Sequence, residues 1–362
     1  MINGKIIGID ARMIEMSGIG TYIQHLMAQG IYDVAIGDEK QIRRYDRTVK
    51  VIQFNAPIYG LKEQLRYPNT LIREAGVNIM HFPHYNVPIS YKGDYVVTVH
   101  DLTHLVFPQF LGNRIKYFYA KFIMANALKR AKHVFTVSEY SKKDIIRFFN
   151  VPNKKISITS NAVDEDFRVK SLSEIDYLYD KFNISKEKKL LLYVGNLKPH
   201  KNLETLLKSF QIINRSRDDL ELILVGKAFK GVNLHKREID LEISEKVIHT
   251  GLVSKQELVD LYNLADLFIF PSLYEGFGIP LLEAMACGTP VIAANNSSIP
   301  EVVGMAATLF DGKNEVELSR LIDELLEDDK KRFDLIRYGN EQYKLFSWRK
   351  TQDTIKTVLS EI

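Results

Sequence analysis

Short β-branched and aliphatic runs alternate along the chain with longer stretches in which apolar residues recur at helical spacing. Such alternation marks βαβ units and parallel sheets. The strand candidates of the first half are Lys5–Ile9, Val49–Phe54, Ile79–Phe82, Tyr95–Val99, His133–Val137 and Ile156–Thr159. A second set runs through Lys189–Val194, Leu220–Val225, Val247–Thr250, Leu267–Phe270, Pro290–Ala293 and Ala307–Phe310. The pattern predicts helices over Thr21–Gln29, Arg114–Arg130, Ser141–Phe148, Leu203–Asn214, Lys255–Asn263, Pro280–Ala286, Glu315–Glu327 and Ser347–Ile362. The fold class is therefore α/β, with two Rossmann-like, doubly wound sheets in series.

The 362 residues fit two domains at roughly 100–200 residues each. The stretch 161–189 is polar and lacks a strong strand signal, which predicts a linker. The expected division is residues 1–165, residues 166–346, and a terminal helix at 347–362 that begins beside the only tryptophan, Trp348, and packs on one domain or the other. Tandem α/β domains commonly bind a ligand between the carboxyl ends of their strands, so a cleft is expected.

Composition narrows the class. With 46% hydrophobic and 26% charged residues the chain is neither disordered, collagen-like nor a coiled coil. Its single cysteine, Cys287, forms no intrachain disulfide. No 18-residue apolar run occurs and the start does not read as a secretory leader, so a cytoplasmic protein without a membrane span is expected. Charge is uneven: residues 1–165 hold 22 Lys and Arg against 14 Asp and Glu, whereas residues 166–362 hold 27 against 31. The basic half either meets an anionic partner or is ordinary solvated surface.

The candidate chemistry lies in two strand-loop-helix segments. In the first, Leu267–Phe270 runs into a loop containing Glu275, Gly276, Phe277 and Gly278; Ile279 or Pro280 then opens a helix that ends near Cys287, with Gly288 as its C-terminal cap. The N–H groups of a helix start behind a glycine loop make an anion site. Glu283 is placed in the first turn of that helix and Glu275 in the loop, so the two carboxylates do not share a helical face. They contact different parts of one ligand, or Glu283 complements the helix dipole and Glu275 is solvated. In the second segment a strand ends at Gly195, and Asn196, Lys198 and Lys201 follow before Asn202, an acceptable N-cap. Lysine beside a helix N-terminus calls for a counter-anion, which a diphosphate supplies; two exposed loop lysines are the plainer reading.

The run Glu275-Gly-Phe-Gly-x-Pro-x-x-Glu283-Ala-x-Ala-x-Gly-x-Pro-Val, with Val194-Gly-Asn and Lys201-Asn202, resembles the retaining glycosyltransferases of family four and their two-domain glycosyltransferase-B fold. Gly18-Ile-Gly20-Thr-Tyr resembles the family's N-terminal glycine loop, Val99-His100-Asp101 its histidine motif, and Ser138-Glu-Tyr-Ser141 and Asn161-Ala-Val-Asp164 are similar to further family segments. The resemblance implies an acceptor-binding first domain and a nucleotide-sugar-binding second one, with the terminal helix crossing back to the first. It makes Lys201 the diphosphate-binding cation, Glu275 a contact to donor-sugar hydroxyls and Glu283 a contact to the nucleotide ribose. It also places His100 near the transferred sugar, with Lys201, His100 and Glu275 as the catalytic set. Gly276, Phe277, Gly278 and Ile279 present backbone groups to the sugar and phosphate, and Gly20 joins the binding set. Asn196 stands where many relatives have arginine; it donates a hydrogen bond but no charge, leaving Lys201, Lys198 or the helix dipole to stabilise the leaving group.

The implied reaction is retaining transfer of a hexose from a nucleoside-diphosphate sugar, without cofactor or metal. The Gly195-Asn-Leu-x-Pro-x-Lys-Asn202 loop is similar to that of the mannosyltransferase-B-like branch, which implies mannose or rhamnose, a glycan or lipid-linked saccharide acceptor, and O-antigen or capsule synthesis. A sugar-nucleotide epimerase or a non-catalytic sugar-nucleotide-binding protein on the same fold is the alternative. A glycoside hydrolase fits less well, because glycines and lysines suit a phosphate better than a neutral glycoside. Asp164-Glu165-Asp166 falls in the linker, away from a strand end where a metal would be needed, and His81, His84, His100 and His104 are expected as loop or substrate-site histidines. Gly18-Ile-Gly20 with Ile23 at the third position matches a dinucleotide fingerprint poorly.

Residues 105–132 interleave Phe107, Phe110, Tyr117, Phe118, Tyr119 and Phe122 with Lys116, Lys121, Lys129, Arg130 and Lys132. That pattern suits peripheral attachment to an anionic membrane at its inner face, or aromatics packed into the core. No nucleic-acid-binding module accompanies the basic half, so nucleic acid is not an expected partner.

Overall fold

The computed structural model describes residues 1–58, 60–111, 113–227 and 234–362; the side chains of Ser17, Leu61, Phe110 and Leu111 also lie outside the described set. The chain divides into two units, one of Met1–Asn161 with Ser347–Ile362 and one of Ala162–Phe346. The division thus falls at Asn161, four residues before the sequence-based boundary. Residues 162–188 are not a bare linker. Leu172–Ile175 and Tyr177–Phe182 are helices of the second unit that bury Ile175 and Leu178, and Lys170 is tied to buried Asp260 at 2.5 Å.

The first unit holds β1 (Ile7–Asp10), β2 (Val34–Gly37), β3 (Lys50–Gln53), β4 (Ile79–Phe82), β5 (Asp94–Val99), β6 (His133–Thr136) and β7 (Ile156–Ile158). They form one sheet in the order β3-β2-β1-β4-β5-β6-β7, and every pairing is parallel. Strands covered by helices on both faces lose the alternation of a half-exposed sheet, which is why β1, β2 and β4 are buried at every position. The chain leaves β1 toward β2 on one side, while β5 to β7 build outward from β4 on the other. The topological switch therefore lies between β1 and β4, where parallel sheets place ligands.

The terminal helix Trp348–Glu361 belongs to this unit. Ser347 caps it by accepting from the Lys350 N–H, Trp348 stacks on His25 (4.2 Å between centroids, 10° between planes), and Gln352 donates to the His25 carbonyl at 2.7 Å.

The second unit holds β8 (Lys189–Val194), β9 (Leu220–Val225), β10 (Val247–Gly251), β11 (Leu267–Phe270), β12 (Val291–Ala294) and β13 (Ala307–Phe310), all parallel in the order β10-β9-β8-β11-β12-β13. Its switch lies between β8 and β11, the strands whose loops carry Lys201 and Glu275.

Candidate functional site

The β8 loop closes with a single helical turn, Pro199–Lys201, and Asn202 takes a left-handed conformation (φ +59°) that the turn requires. Asn202 occupies the N-cap position of the helix Leu203–Ile213, but its side chain does not cap that helix. Instead its amide donates to the Pro271 carbonyl (3.0 Å) after β11 and to the Gly312 carbonyl (2.6 Å) after β13. A further bond from the Leu273 N–H to the His200 carbonyl (2.9 Å) ties the β8 and β11 loops together. The result brings Lys201 Nζ to 2.6 Å from Glu275 Oε1, with the ammonium also 5.8 Å from the Phe270 ring centroid. Both side chains retain a little exposure, 18% for Lys201 and 12% for Glu275. The cation that the family resemblance places against a diphosphate thus rests on the carboxylate that it places against a sugar.

Gly278 (φ +102°) ends the glycine loop and opens the helix Ile279–Ala286. The Ser298 hydroxyl, fully buried, donates to the carbonyls of Glu275 and Phe277, and Ser297 Oγ accepts from the Glu275 N–H at 2.8 Å. Phe277 is buried edge-on against Phe346 at 5.3 Å. This bracing holds the loop in front of the helix, whose second residue, Pro280, has no N–H and whose Leu281 N–H bonds back to the Gly278 carbonyl at 3.0 Å. Asn196, after β8, is exposed, and its carbonyl accepts from the Lys198 N–H. Gly288 (φ +75°) follows the helix as its left-handed terminator.

Glu283 lies one residue beyond the first turn of that helix rather than within it, so it does not serve the helix dipole. Tyr262 donates its hydroxyl to Glu283 Oε2 at 2.9 Å. Burial pushes the Glu283 carboxyl up to about 7, with that hydrogen bond and the Lys255 charge acting in the opposite direction. Lys255 itself holds the linker carboxylates Asp164 (2.7 Å) and Asp166 (2.5 Å).

In the first unit His100 follows β5. Its Nε2 lies 2.9 Å from the Pro83 carbonyl and the Tyr22 ring meets it edge-on at 4.9 Å. A carbonyl only accepts, so Nε2 carries the proton; burial lowers the His100 pKa, and the neutral ring then presents Nδ1 as an acceptor. Asp101 is held below the usual carboxylate range: burial pushes the other way, but the hydrogen bonds from the Thr103 N–H and hydroxyl outweigh it.

Two sequence expectations for this unit are corrected. Gly18 and Gly20 lie inside the helix Ser17–Met27, not in a loop. The Gly20 N–H is taken by the Met16 carbonyl at 2.7 Å, and a Cβ there would stand 2.6 Å from the Ile14 carbonyl oxygen, so Gly20 permits close packing and offers no N–H to a ligand. His81 is not in a loop either. It is a fully buried residue of β4, bonded to Tyr32 (2.6 Å) and Thr98 (2.7 Å), and burial drives its pKa down to about 3.

The profile described as "Glycosyl transferases group 1" matches residues 176–342, and the one described as "Glycosyltransferase Family 4" matches residues 23–167. The O-antigen chain mannosyltransferase B of Escherichia coli is 33% identical over 278 residues, covering 75% of this chain and 71% of that protein. The chain belongs to glycosyltransferase family 4. The O-antigen chain mannosyltransferase RfbU of Salmonella typhimurium is 31% identical over 246 residues, 68% of this chain and 64% of that one. The serotype-specific mannosyltransferase WbdA of Escherichia coli is 30% identical over 233 residues, which span only 28% of its length. The crystal structure of Anabaena HepE with UDP and glucose superposes with a TM-score of 0.81 at 19% identity, covering 99% of this chain and all of that one. The two parallel sheets are those of the glycosyltransferase-B fold.

Several residues that shape this glycosyltransferase's second-unit site carry little sequence signal. Gly226 ends β9 as Gly195 ends β8, and a Cβ on Gly226 would stand 2.0 Å from the Gly195 carbonyl oxygen. The repeated strand-Val-Gly ending at 194–195 and 225–226 is the signal that finds it. Ser297, Ser298 and Tyr262 act through contacts with residues about twenty positions away, which no local spacing reveals.

Proposed function

We propose that the chain transfers a hexose, mannose or rhamnose, from a nucleoside-diphosphate sugar to a glycan or lipid-linked saccharide in surface-polysaccharide synthesis, with retention at the anomeric carbon. The observation that carries this reading is the Lys201–Glu275 pair at the β8/β11 switch, beside a braced glycine loop and a helix N-terminus. An incoming diphosphate takes over Lys201 and releases Glu275 to accept hydrogen bonds from sugar hydroxyls. The bond between C1 and the diphosphate oxygen breaks, its electron pair leaves with the diphosphate, and Lys201 and the positive end of the helix Ile279–Ala286 stabilise that charge. The acceptor oxygen bonds to C1 on the same face and passes its proton to the departing phosphate, so no protein base is required.

UDP and glucose bound in the HepE structure and the mannosyltransferase relatives support the donor class and the sugar. No resident metal is needed in this scheme. The donor test is a thermal-shift panel of GDP-, UDP-, dTDP- and ADP-sugars with and without magnesium, since a ligand that binds only the folded state raises its melting temperature. One metal-independent responder, turned over when acceptor is added, is expected; binding without turnover supports a non-catalytic protein, and interconversion of the donor sugar an epimerase.

Peripheral attachment to an anionic membrane is also proposed. Among the described residues no helix is long and apolar enough to cross a membrane. Ile115, Phe118, Tyr119 and Phe122 form one exposed stripe of the helix Arg114–Arg130, flanked by exposed Arg114, Lys116 and Lys121. Tyr117, by contrast, packs on the core, and Arg130 is pinned to the Tyr91 carbonyl. The Phe110 side chain lies outside the described residues. Apolar insertion flanked by basic residues fits an anionic lipid surface. Flotation with phosphatidylglycerol vesicles should recover the native chain and lose the Phe118→Ser/Phe122→Ser variant; equal flotation of both removes the stripe from consideration.

A further inference from the structure

Tyr262 lies on the helix Lys255–Leu264 and reaches across to Glu283 on the helix Ile279–Ala286. Its side chain is fully buried, edge-on to Phe268 at 5.3 Å and to Phe167 at 6.0 Å between centroids. Its backbone carbonyl accepts from the Thr289 hydroxyl at 2.6 Å, and Thr289 follows Gly288, the terminator of Glu283's own helix. The tyrosine is thus anchored by its ring and by its main chain. Its hydroxyl meets Glu283 Oε2 at 2.9 Å, the polar partner that a buried phenol needs.

Burial and the Glu283 charge push the Tyr262 phenol well above its ordinary range, so it keeps its proton and remains a donor through neutral pH. An ionised carboxylate is the stronger acceptor for that donor, so the contact favours the charged form of Glu283. Burial works against this form; of the two influences that favour it, the Tyr262 hydrogen bond is the larger and the Lys255 charge the smaller. Lys255 is itself shared between Asp164 and Asp166, and the Asp164 charge opposes it at Glu283. Cys287, which closes the Glu283 helix, stays a neutral thiol, pushed up to about 12 chiefly by burial.

Tyr262 occupies Oε2 and supplies the only hydrogen bond to this carboxylate among the described residues, which leaves Oε1 to a ligand. An ionised oxygen accepts and does not donate, so its ligand has to bring a donor. A diphosphate brings none and repels the charge. The hydroxyls of a nucleotide's ribose meet the requirement.

We propose that Tyr262 is a positioning residue for donor recognition: by holding Oε2 it turns the Glu283 carboxylate so that Oε1 accepts from a ribose hydroxyl. The proposal rests on the nucleotide-sugar reading and adds to it a residue that touches no atom of the donor. What Tyr262 contributes is preorganisation, since a carboxylate already held and charged loses less on binding than one that must rotate and ionise.

The test is calorimetric titration of the full chain with GDP, UDP and ADP, each paired with the analogue that lacks both ribose hydroxyls, from about pH 6 to about pH 9. The native chain should bind one of the three about tenfold or more tightly than its analogue, the worth of a hydrogen bond to a charged group. Tyr262→Phe keeps the ring and removes the hydroxyl. Near pH 7 it should weaken the intact nucleotide about three- to tenfold and leave the analogue within about twofold, and the loss should shrink toward pH 9, where Glu283 ionises unaided. A tyrosine that only supports the fold would weaken both ligands alike at every pH. Thermal melts establish that the variant is folded; if it is not, fluorotyrosine at position 262 takes its place, and its fluorine resonance should shift with the intact nucleotide and not with the analogue. Equal losses on both ligands, an analogue bound as tightly as its parent, a loss independent of pH, or a fluorine resonance blind to the ribose hydroxyls overturns the proposal and leaves the donor reading standing. Binding of none of the three ribonucleotides also overturns it. A titration with dTDP then decides whether the donor reading falls as well: binding keeps that reading, and no binding removes it.

Discussion

At the carboxyl edge of the first sheet Asp10, Arg12 and Glu63 form a locked cluster whose side chains are at most 7% exposed. At the corresponding edge of the second sheet Lys201 and Glu275 form one pair that solvent still reaches. Both sites sit at a topological switch of a parallel sheet, yet their charges are used differently. Arg12 is committed to two carboxylates, Asp10 and Glu63. Among the described residues Lys201 has one ion-pair partner, Glu275, which the proposed diphosphate would displace. One fold thus carries a locked ion cluster in one unit and a more accessible ion pair in the other, and the difference lies in how many carboxylates the loops deliver to the cation.

The sharpest way to break this contrast is to remove each cation. Arg12→Ala leaves two buried carboxylates facing one another and should cost about 3–5 kcal/mol of first-unit stability, read by urea unfolding followed through Trp348 fluorescence. Lys201→Ala should leave stability within about 1 kcal/mol. Its transfer rate should instead fall about 10²–10³-fold, with weakened donor binding, because a leaving-group donor is lost. Transfer lost with donor affinity untouched would remove Lys201 from the phosphate.

Backbone geometry gives the next effect. Gly226→Ala drives a Cβ into the Gly195 carbonyl and should lower second-unit stability by about 1–3 kcal/mol in thermal melts, with a matching loss of donor affinity.

Glu283 provides a pH test. Its carboxyl titrates near 7 in the folded protein, above the ordinary range, so its stability contribution is full below the unfolded value and is lost as pH rises toward 7. With the ribose role that the family resemblance implies, hydroxyls would donate to the ionised form, so donor affinity should move the other way and increase by up to about tenfold between pH 6 and 8. Titrations of Glu283→Gln should be flat across that range.

The smallest effect separates the two glycines of the first helix. Gly18 has open space around its Cβ position, and Gly18→Ala should stabilise the helix by about 0.5–1 kcal/mol in the same Trp348-monitored unfolding. Gly20→Ala should destabilise it.

The second sheet was legible because its strands are short, mostly apolar runs, interrupted only by single polar residues such as Glu221 and Thr308 or by His249–Thr250, and Leu220–Val225, Leu267–Phe270 and Ala307–Phe310 match the observed elements end to end. Strand β2 escaped because Val-Ala-Ile-Gly is four residues long and ends in glycine. The helix Asp329–Gln342 escaped for the opposite reason: it is polar around most of its circumference and buries only Leu335 and Gly339. The places of Lys201 and Glu275 after β8 and β11 were legible from the glycine and proline punctuation around them, whereas Glu283 was expected within the first helical turn and lies just beyond it. The Arg12 cluster was not, because Glu63 and Asn86 reach it from 51 and 74 positions away and only the sheet topology brings them together.

The Asn202 amide, shared between the Pro271 and Gly312 carbonyls, carries a lesson for engineering. It binds the turns after β8, β11 and β13 into a single mechanical block, so a transplant of donor preference from a homologue has to carry all three turns together. A chimera that exchanges one of them inherits a misaligned lysine or a misaligned glutamate, however faithfully the exchanged turn itself is copied.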